Sequence, residues 1–227
     1  MASPSPQVVV FDVNETLSDM SAIRDRFEEV GAPGHLMPTW FAGVLRDGFA
    51  LTAAGGYAEF GQVADAVLRE LLTGSPEWKG DLGTAVSYVL DGFAELGLHP
   101  DVPEGMRILR DAGVRLFTLT NGSAALTDRL LERAGLLDLV EARLDVSVPR
   151  VWKPAAAAYR YAVDRAGVLP GQAALVAVHP WDIDGAQRAG LVGAWLDRLG
   201  ASYPDVMTAP QVTAPDLTTL ARHWVEH

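Results

Sequence analysis

The chain contains no cysteine, which excludes disulfides, thiolate zinc sites and a cysteine nucleophile together. It is also short of positive charge. Eighteen lysines and arginines stand against 29 aspartates and glutamates, a formal net charge of −11. A surface that acidic disfavours general binding to nucleic acid or to an anionic membrane, but a locally positive pocket can still take a small anion. No apolar run approaches the roughly 20 residues of a membrane span. Neither an internal repeat nor a low-complexity tract is visible. The opening MASPSPQ lacks a charged-then-apolar signal pattern and reads as a short disordered leader, so a soluble, cytoplasmic protein is expected.

At 227 residues the chain is long for one average domain, which predicts one substantial core plus an inserted or appended module. QVVVFDV (7–13) is a short β-branched run, as in a buried parallel strand. From about Met20 to His99 apolar residues recur at three- and four-residue steps, such as Phe41, Leu45 and Phe49. This predicts a cluster of helices without a strand. A helix then runs from Pro103 to Gly113. After it strands (114–121, ARLDVSV, 173–179, VGAWLD) alternate with helices: 123–135, capped by Ser123 and closed by Gly135, 153–167 after Pro154, and a short one ending at Gly190. The tail reads as a loop and a final helix. The expectation is an α/β fold, a Rossmann-like parallel sheet with a helical cap inserted after the first strand: core 1–18 and 100–227, cap 19–99.

In such sheets the active site lies beyond the carboxyl ends of the strands. Asp12, Thr120–Asn121 and His179–Asp182 fall at or just past strand ends, with Lys153 near the same edge. Each has a bland reading: Asp12 and Thr16 as turn residues, Lys153 as a surface lysine, Thr120 and Asn121 as helix caps, Asp182 and Asp184 as acids at a helix start. Together they outweigh those readings. A lysine beside Asp12 would keep it ionised.

Asp12 with Thr16, LTNGS at 119–123, KP at 153–154 and HPWDIDGA at 179–186 resemble, in order and spacing, the four motifs of the haloacid dehalogenase superfamily. TNGS, Tyr159 six residues after Lys153, and Trp181–Asp182 resemble its type II, L-2-haloacid dehalogenase branch. The resemblance implies a hydrolase that attacks a small halogenated organic acid with Asp12, forms an ester and hydrolyses it with water. It implies that Thr16 holds the nucleophile, Lys153 orients it and keeps it ionised, and Asp182, with Thr120 or Tyr159, positions the water. Asn121 and Trp181 would line the pocket, narrowed by Phe41, and dimerisation is implied by the same likeness. No cofactor is expected.

Asn14 carries information of its own. The superfamily's phosphatases place a second aspartate two residues after the nucleophile as acid and base, which an amide cannot replace. A halide leaves without a proton. The alternatives are a magnesium-dependent phosphatase, with Asp12, the carbonyl of residue 14 and Asp182 or Asp184 around the ion, and a non-catalytic scaffold of the same fold. Three departures from the type II branch concern the substrate. Asn14 stands where that branch often has tyrosine. Trp40–Phe41 occupies the place of a tryptophan–arginine pair that binds the substrate, making Arg46, one turn on, the candidate replacement. His179 stands where asparagine is usual, and can assist the water or bind halide as imidazolium.

Overall fold

The computed structural model describes residues 5–75 and 77–226. Part of the expected leader, residues 1–4, lies outside them. Gln7 is already tied to the sheet, its N–H donating to Gln172 O at 2.9 Å.

Among the described residues eight strands occur in chain order: β1 (Val8–Phe11), β2 (Ser18–Asp19), β3 (Gly97–Leu98), β4 (Arg115–Thr120), β5 (Val140–Asp145), β6 (Ala173–Ala177), β7 (Val192–Leu196) and β8 (Val212–Ala214). Six of them form one sheet in the order β5-β4-β1-β6-β7-β8, and every pair in it is parallel. Burial on both faces explains the unbroken VVVF of β1. Val8 and Val10 enter one apolar cluster, Val9 and Phe11 the other, as the two-residue period of a strand requires. On the second face lie α5 (Val102–Asp111), through Met106 and Leu109, and α9 (Leu217–Glu226), through Leu220 and Trp224. The first face carries α7 (Ala156–Ala166) and α8 (Pro180–Arg188), while α6 (Ala124–Arg133) sends Leu130 to one cluster and Leu131 to the other.

Between β2 and β3 the described residues form four α-helices: α1 (Ser21–Glu29), α2 (Leu36–Ala53), α3 (Phe60–Thr73) and α4 (Leu82–Asp91). The buried stripe of α2 is Met37, Trp40, Phe41, Val44 and Gly48, at the three- and four-residue spacing of one helix face. Trp40 packs against Phe27 and Phe93, and Phe60 against Phe93 and Trp152. Trp152 belongs to the segment after β5 yet reaches these helices. Its Nε1–H donates to Ala58 O at 3.0 Å and its N–H to Thr52 Oγ1 at 3.0 Å, while Gly48 leaves room for the indole.

Three expectations need correction. The segment 20–99 does hold a strand, the two-residue β3, which pairs antiparallel with β2 where the helical segment joins the sheet. A sixth sheet strand, β8, lies in the stretch read as loop, because Val212 and Ala214 bury against β7. Ser123 precedes α6 without a side-chain cap. The Ala124 N–H is instead satisfied by Asp145 Oδ2 at 2.9 Å, a partner from the neighbouring strand end that no local motif reveals.

Candidate active site

Asp12 follows β1 at the sheet's central carboxyl edge, with its N–H on Val176 O at 3.0 Å. Its carboxylate is almost wholly buried. Thr16 Oγ1–H donates to Asp12 Oδ2 at 2.6 Å, and the same oxygen accepts the Val178 N–H at 3.1 Å. The backbone leaving β6 thereby fixes the threonine that fixes Asp12.

Lys153 is fully buried, and its Nζ lies between two carboxylates: 2.7 Å from Asp12 Oδ1 and 2.6 Å from Asp182 Oδ2. Its backbone is clamped by the Asn121 side chain, whose Oδ1 accepts Lys153 N–H at 2.8 Å while Nδ2 donates to Lys153 O at 3.2 Å. Asp182, in the first turn of α8, takes its other hydrogen bond from Tyr159 O–H at 2.5 Å. Burial alone would raise Asp12, but the charge of Lys153 and the hydrogen bond from His179 overcome it and hold the carboxyl well below the usual range. Burial likewise opposes charge on Lys153, and Asp12 and Asp182 together raise it above its ordinary value. Asp182 is raised, by burial and by the neighbouring Asp12 charge, although Lys153 and Tyr159 oppose that. The result is an ionised nucleophile candidate in a dry setting, where a charge is held only by paired groups.

His179 immediately precedes α8. Its Nδ1 faces Asp12 Oδ2 at 3.2 Å and its Nε2 faces Glu15 Oε2 at 2.8 Å. An ionised carboxylate only accepts, so both ring nitrogens donate and the ring is an imidazolium. Burial works against this, but the hydrogen bonds to Asp12 and Glu15 raise the group to about 9. Glu15 was not singled out from sequence. Its signal is conformational, a φ of 64°, in a region that side-chain-bearing residues seldom occupy.

The remaining predicted residues divide. Asn14 and Thr120 line a small cavity of about 20 Å³ together with Gly122, Ser123, Phe60 and Phe93, room for roughly one water. Among the described residues no hydrogen bond joins Thr120 to Asp12 or Asp182. Its Oγ1 accepts the Gly122 N–H at 2.8 Å. Trp181 stacks on His179 at 5.1 Å and sits 5.9 Å from Lys153 Nζ, and Phe41 lies 6.4 Å from the His179 ring. Arg46 is not brought to this cluster. It lies exposed on α2, bonded to Asp47 at 2.7 Å, because α2 turns Phe41, Val44 and Gly48 inward. Tyr159 and Asn121 are buried, the first bonded to Asp182 and the second to the Lys153 backbone. Of the carboxylates that the phosphatase alternative would place around an ion, Asp12 and Asp182 are each bonded to Lys153 Nζ, and Asp184 is bonded to Arg188 at 2.8 Å and to the Thr208 N–H at 2.9 Å.

A profile of haloacid dehalogenase-like hydrolases matches residues 6–190. The chain belongs to this family. Among curated members, an (S)-2-haloacid dehalogenase from Burkholderia cepacia is 29% identical over 91% of this chain and 89% of its own. A haloacetate dehalogenase from a Moraxella species is 25% identical over 92% and 93%. Among solved structures, the L-2-haloacid dehalogenase from Xanthobacter autotrophicus superposes with a TM-score of 0.86 at 24% identity, over 96% of this chain and 97% of that one. A dehalogenase with an intermediate complex reaches 0.90 at 24% identity, covering 99% of both. At that identity these two likenesses speak for the fold of this haloacid dehalogenase-like hydrolase. No described helix is long and apolar enough to cross a membrane.

Proposed function

We propose that this hydrolase cleaves the carbon–halogen bond of small 2-haloalkanoic acids through an ester on Asp12, within a core of residues 1–18 and 100–227 under a cap of residues 19–99. The observation that carries the reading is the state of Asp12: buried, ionised and bonded to Lys153 and Thr16, with an amide and not an acid two residues on. The names of the curated relatives agree with it.

Asp12 Oδ1 accepts one hydrogen bond, Oδ2 two. Oδ1 therefore keeps the freer lone pair and is the attacking atom. It bonds to the halogen-bearing carbon, and halide departs with the bonding electrons. No proton is needed at this step, so Asn14 is no handicap. Water then attacks Cγ of Asp12 and gives one proton to Asp182. The ester C–O bond breaks, the alkoxide takes that proton and leaves as the 2-hydroxy acid, and Asp12 returns its remaining proton to solvent. Halide, hydroxy acid and one proton balance haloacid plus water. The displacement uses no metal.

The test is halide release from chloroacetate, fluoroacetate and each enantiomer of 2-chloropropionate, with and without EDTA, beside Asp12→Asn. Release that survives EDTA and is absent in the variant is expected. Magnesium-dependent phosphate release with no halide release would refute the reading in favour of the phosphatase.

A further inference from the structure

The proposed displacement leaves one feature unused, the Glu15–His179 pair. Glu15 adopts a left-handed backbone, φ 64°, which costs side-chain-bearing residues steric strain and persists only where the surroundings hold it. Here they do. His99 Nε2 lies 3.0 Å from Glu15 O, and the side chain turns to meet His179 Nε2 at 2.8 Å. Trp181 stacks on the ring at 5.1 Å and Phe41 lies 6.4 Å from it, while the hydrogen bonds at its two nitrogens set the ring along the line from Glu15 to Asp12. Other titratable side chains border the cavity of about 870 Å³ that opens beside this pair: Asp19, Arg24, His99, Asp101, Asp197 and Arg198. Arg198 is occupied by Asp101 and by Thr16 O, and among the described residues none of the six hydrogen-bonds His179. Among the described residues the ring of His179 hydrogen-bonds only Glu15 and Asp12.

The end of this array matters chemically. His179 Nδ1 and Thr16 Oγ1 both address Oδ2, the oxygen that does not attack in the scheme above. Once Oδ1 has been alkylated, Oδ2 is the carbonyl oxygen of the ester. When water adds to Cγ, the π pair of that carbonyl moves onto Oδ2 and makes it an oxyanion. Donors aimed at an oxygen where charge develops lower the barrier of that step, and a positively charged donor in a water-poor site does so most.

We propose that His179 is a catalytic residue of the hydrolytic step, donating with Thr16 to the oxyanion on Asp12 Oδ2, and that Glu15 is the positioning residue that aims its ring there. The inference rests on the ester scheme of the preceding section. It separates the two halves of the reaction. Before alkylation His179 bonds to a full carboxylate and weakens its nucleophilicity slightly. After alkylation it stabilises only the second transition state.

The experiment follows both halves with chloroacetate in the full-length protein. Quenched samples are digested and the peptide carrying Asp12 is weighed, while halide is measured on the same time course. His179→Leu and Glu15→Gly are compared with the parent; glycine accepts the left-handed backbone at position 15 and so removes the carboxylate without adding strain. In His179→Leu, which removes both ring donors and leaves an apolar side chain in their place, the first turnover of halide is expected within a few-fold of the parent rate. Hydrolysis is expected to slow by about 100-fold, the loss typical of one oxyanion donor, so the Asp12 peptide accumulates the carboxymethyl mass. Glu15→Gly is expected to show the same accumulation to a smaller extent. Equal slowing of both halves, or turnover without accumulation at the parent rate, would overturn the assignment. Turnover of the parent in heavy-oxygen water tests the underlying scheme separately. Heavy oxygen in Asp12 supports the ester. Its absence overturns the ester, and the role of His179 with it.

Discussion

Replacing Lys153 by methionine keeps an unbranched apolar stem out to Cε and removes the ammonium. Asp12 and Asp182 would then face each other across a buried gap with no cation between them, since Nζ now touches both, at 2.7 and 2.6 Å. Removing one partner of a buried ion pair costs about 3–5 kcal/mol. For a chain of this size each kcal/mol moves the melting temperature by about 2–4 °C, which predicts a loss of roughly 6–20 °C at neutral pH. The pH dependence is the sharper test. In the parent, Asp12 lies below its ordinary value, so its contribution is present above the unfolded-state value and is lost on acidification. Without Lys153, burial and mutual repulsion lift the pair above that value. A raised carboxyl contributes stability that is present below the unfolded value and is lost as pH rises through the folded one. Thermal denaturation of both proteins from pH 4 to 8 should therefore show a deficit that is small at pH 4 and grows towards neutrality. Halide release should fall by at least about 100-fold, because a protonated Asp12 is no nucleophile. A deficit that stayed constant with pH, or shrank as pH rose, would refute the account of Lys153 as the ion that lets both acids stay charged.

Two further outcomes follow from the packing of α2. A Cβ placed on Gly48 would overlap the Trp152 indole at Cε3. The helix propensity gained by Gly48→Ala, about 1 kcal/mol, should be outweighed by overpacking of about 1–3 kcal/mol. Because Trp152 precedes Lys153, halide release should drop further than the melting temperature does; a variant as stable and active as the parent would contradict this. Arg46→Ala, by contrast, should leave kcat, KM and melting temperature unchanged, since the side chain is exposed and its hydrogen bonds go to Asp47. A tenfold rise in KM for chloroacetate would show that the arginine does reach the substrate in solution.

The sequence by itself determined the frame of the sheet. The β-branched VVVF, the alternation of strands and helices from residue 114, and the apolar periodicity between Met20 and His99 are local patterns whose period sets their structure. It also determined the chemical types at the rim, because Asp12, Thr16, Lys153 and Asp182 stand at strand and helix ends that the chain's own punctuation marks. The tertiary structure decided which of these meet. Lys153 lies 141 residues from Asp12 in the chain, and only the packing of Trp152 under α2 and the clamp of Asn121 deliver its ammonium between two acids. Arg46 failed for the same kind of reason, since the face of a helix that turns inward is set by its largest apolar residues and not by where a cation would be useful. Glu15 was invisible because nothing in the composition of VNET announces a left-handed backbone. The short edge strand β8 was hidden too, since three residues carry almost no period and their pairing is supplied by β7.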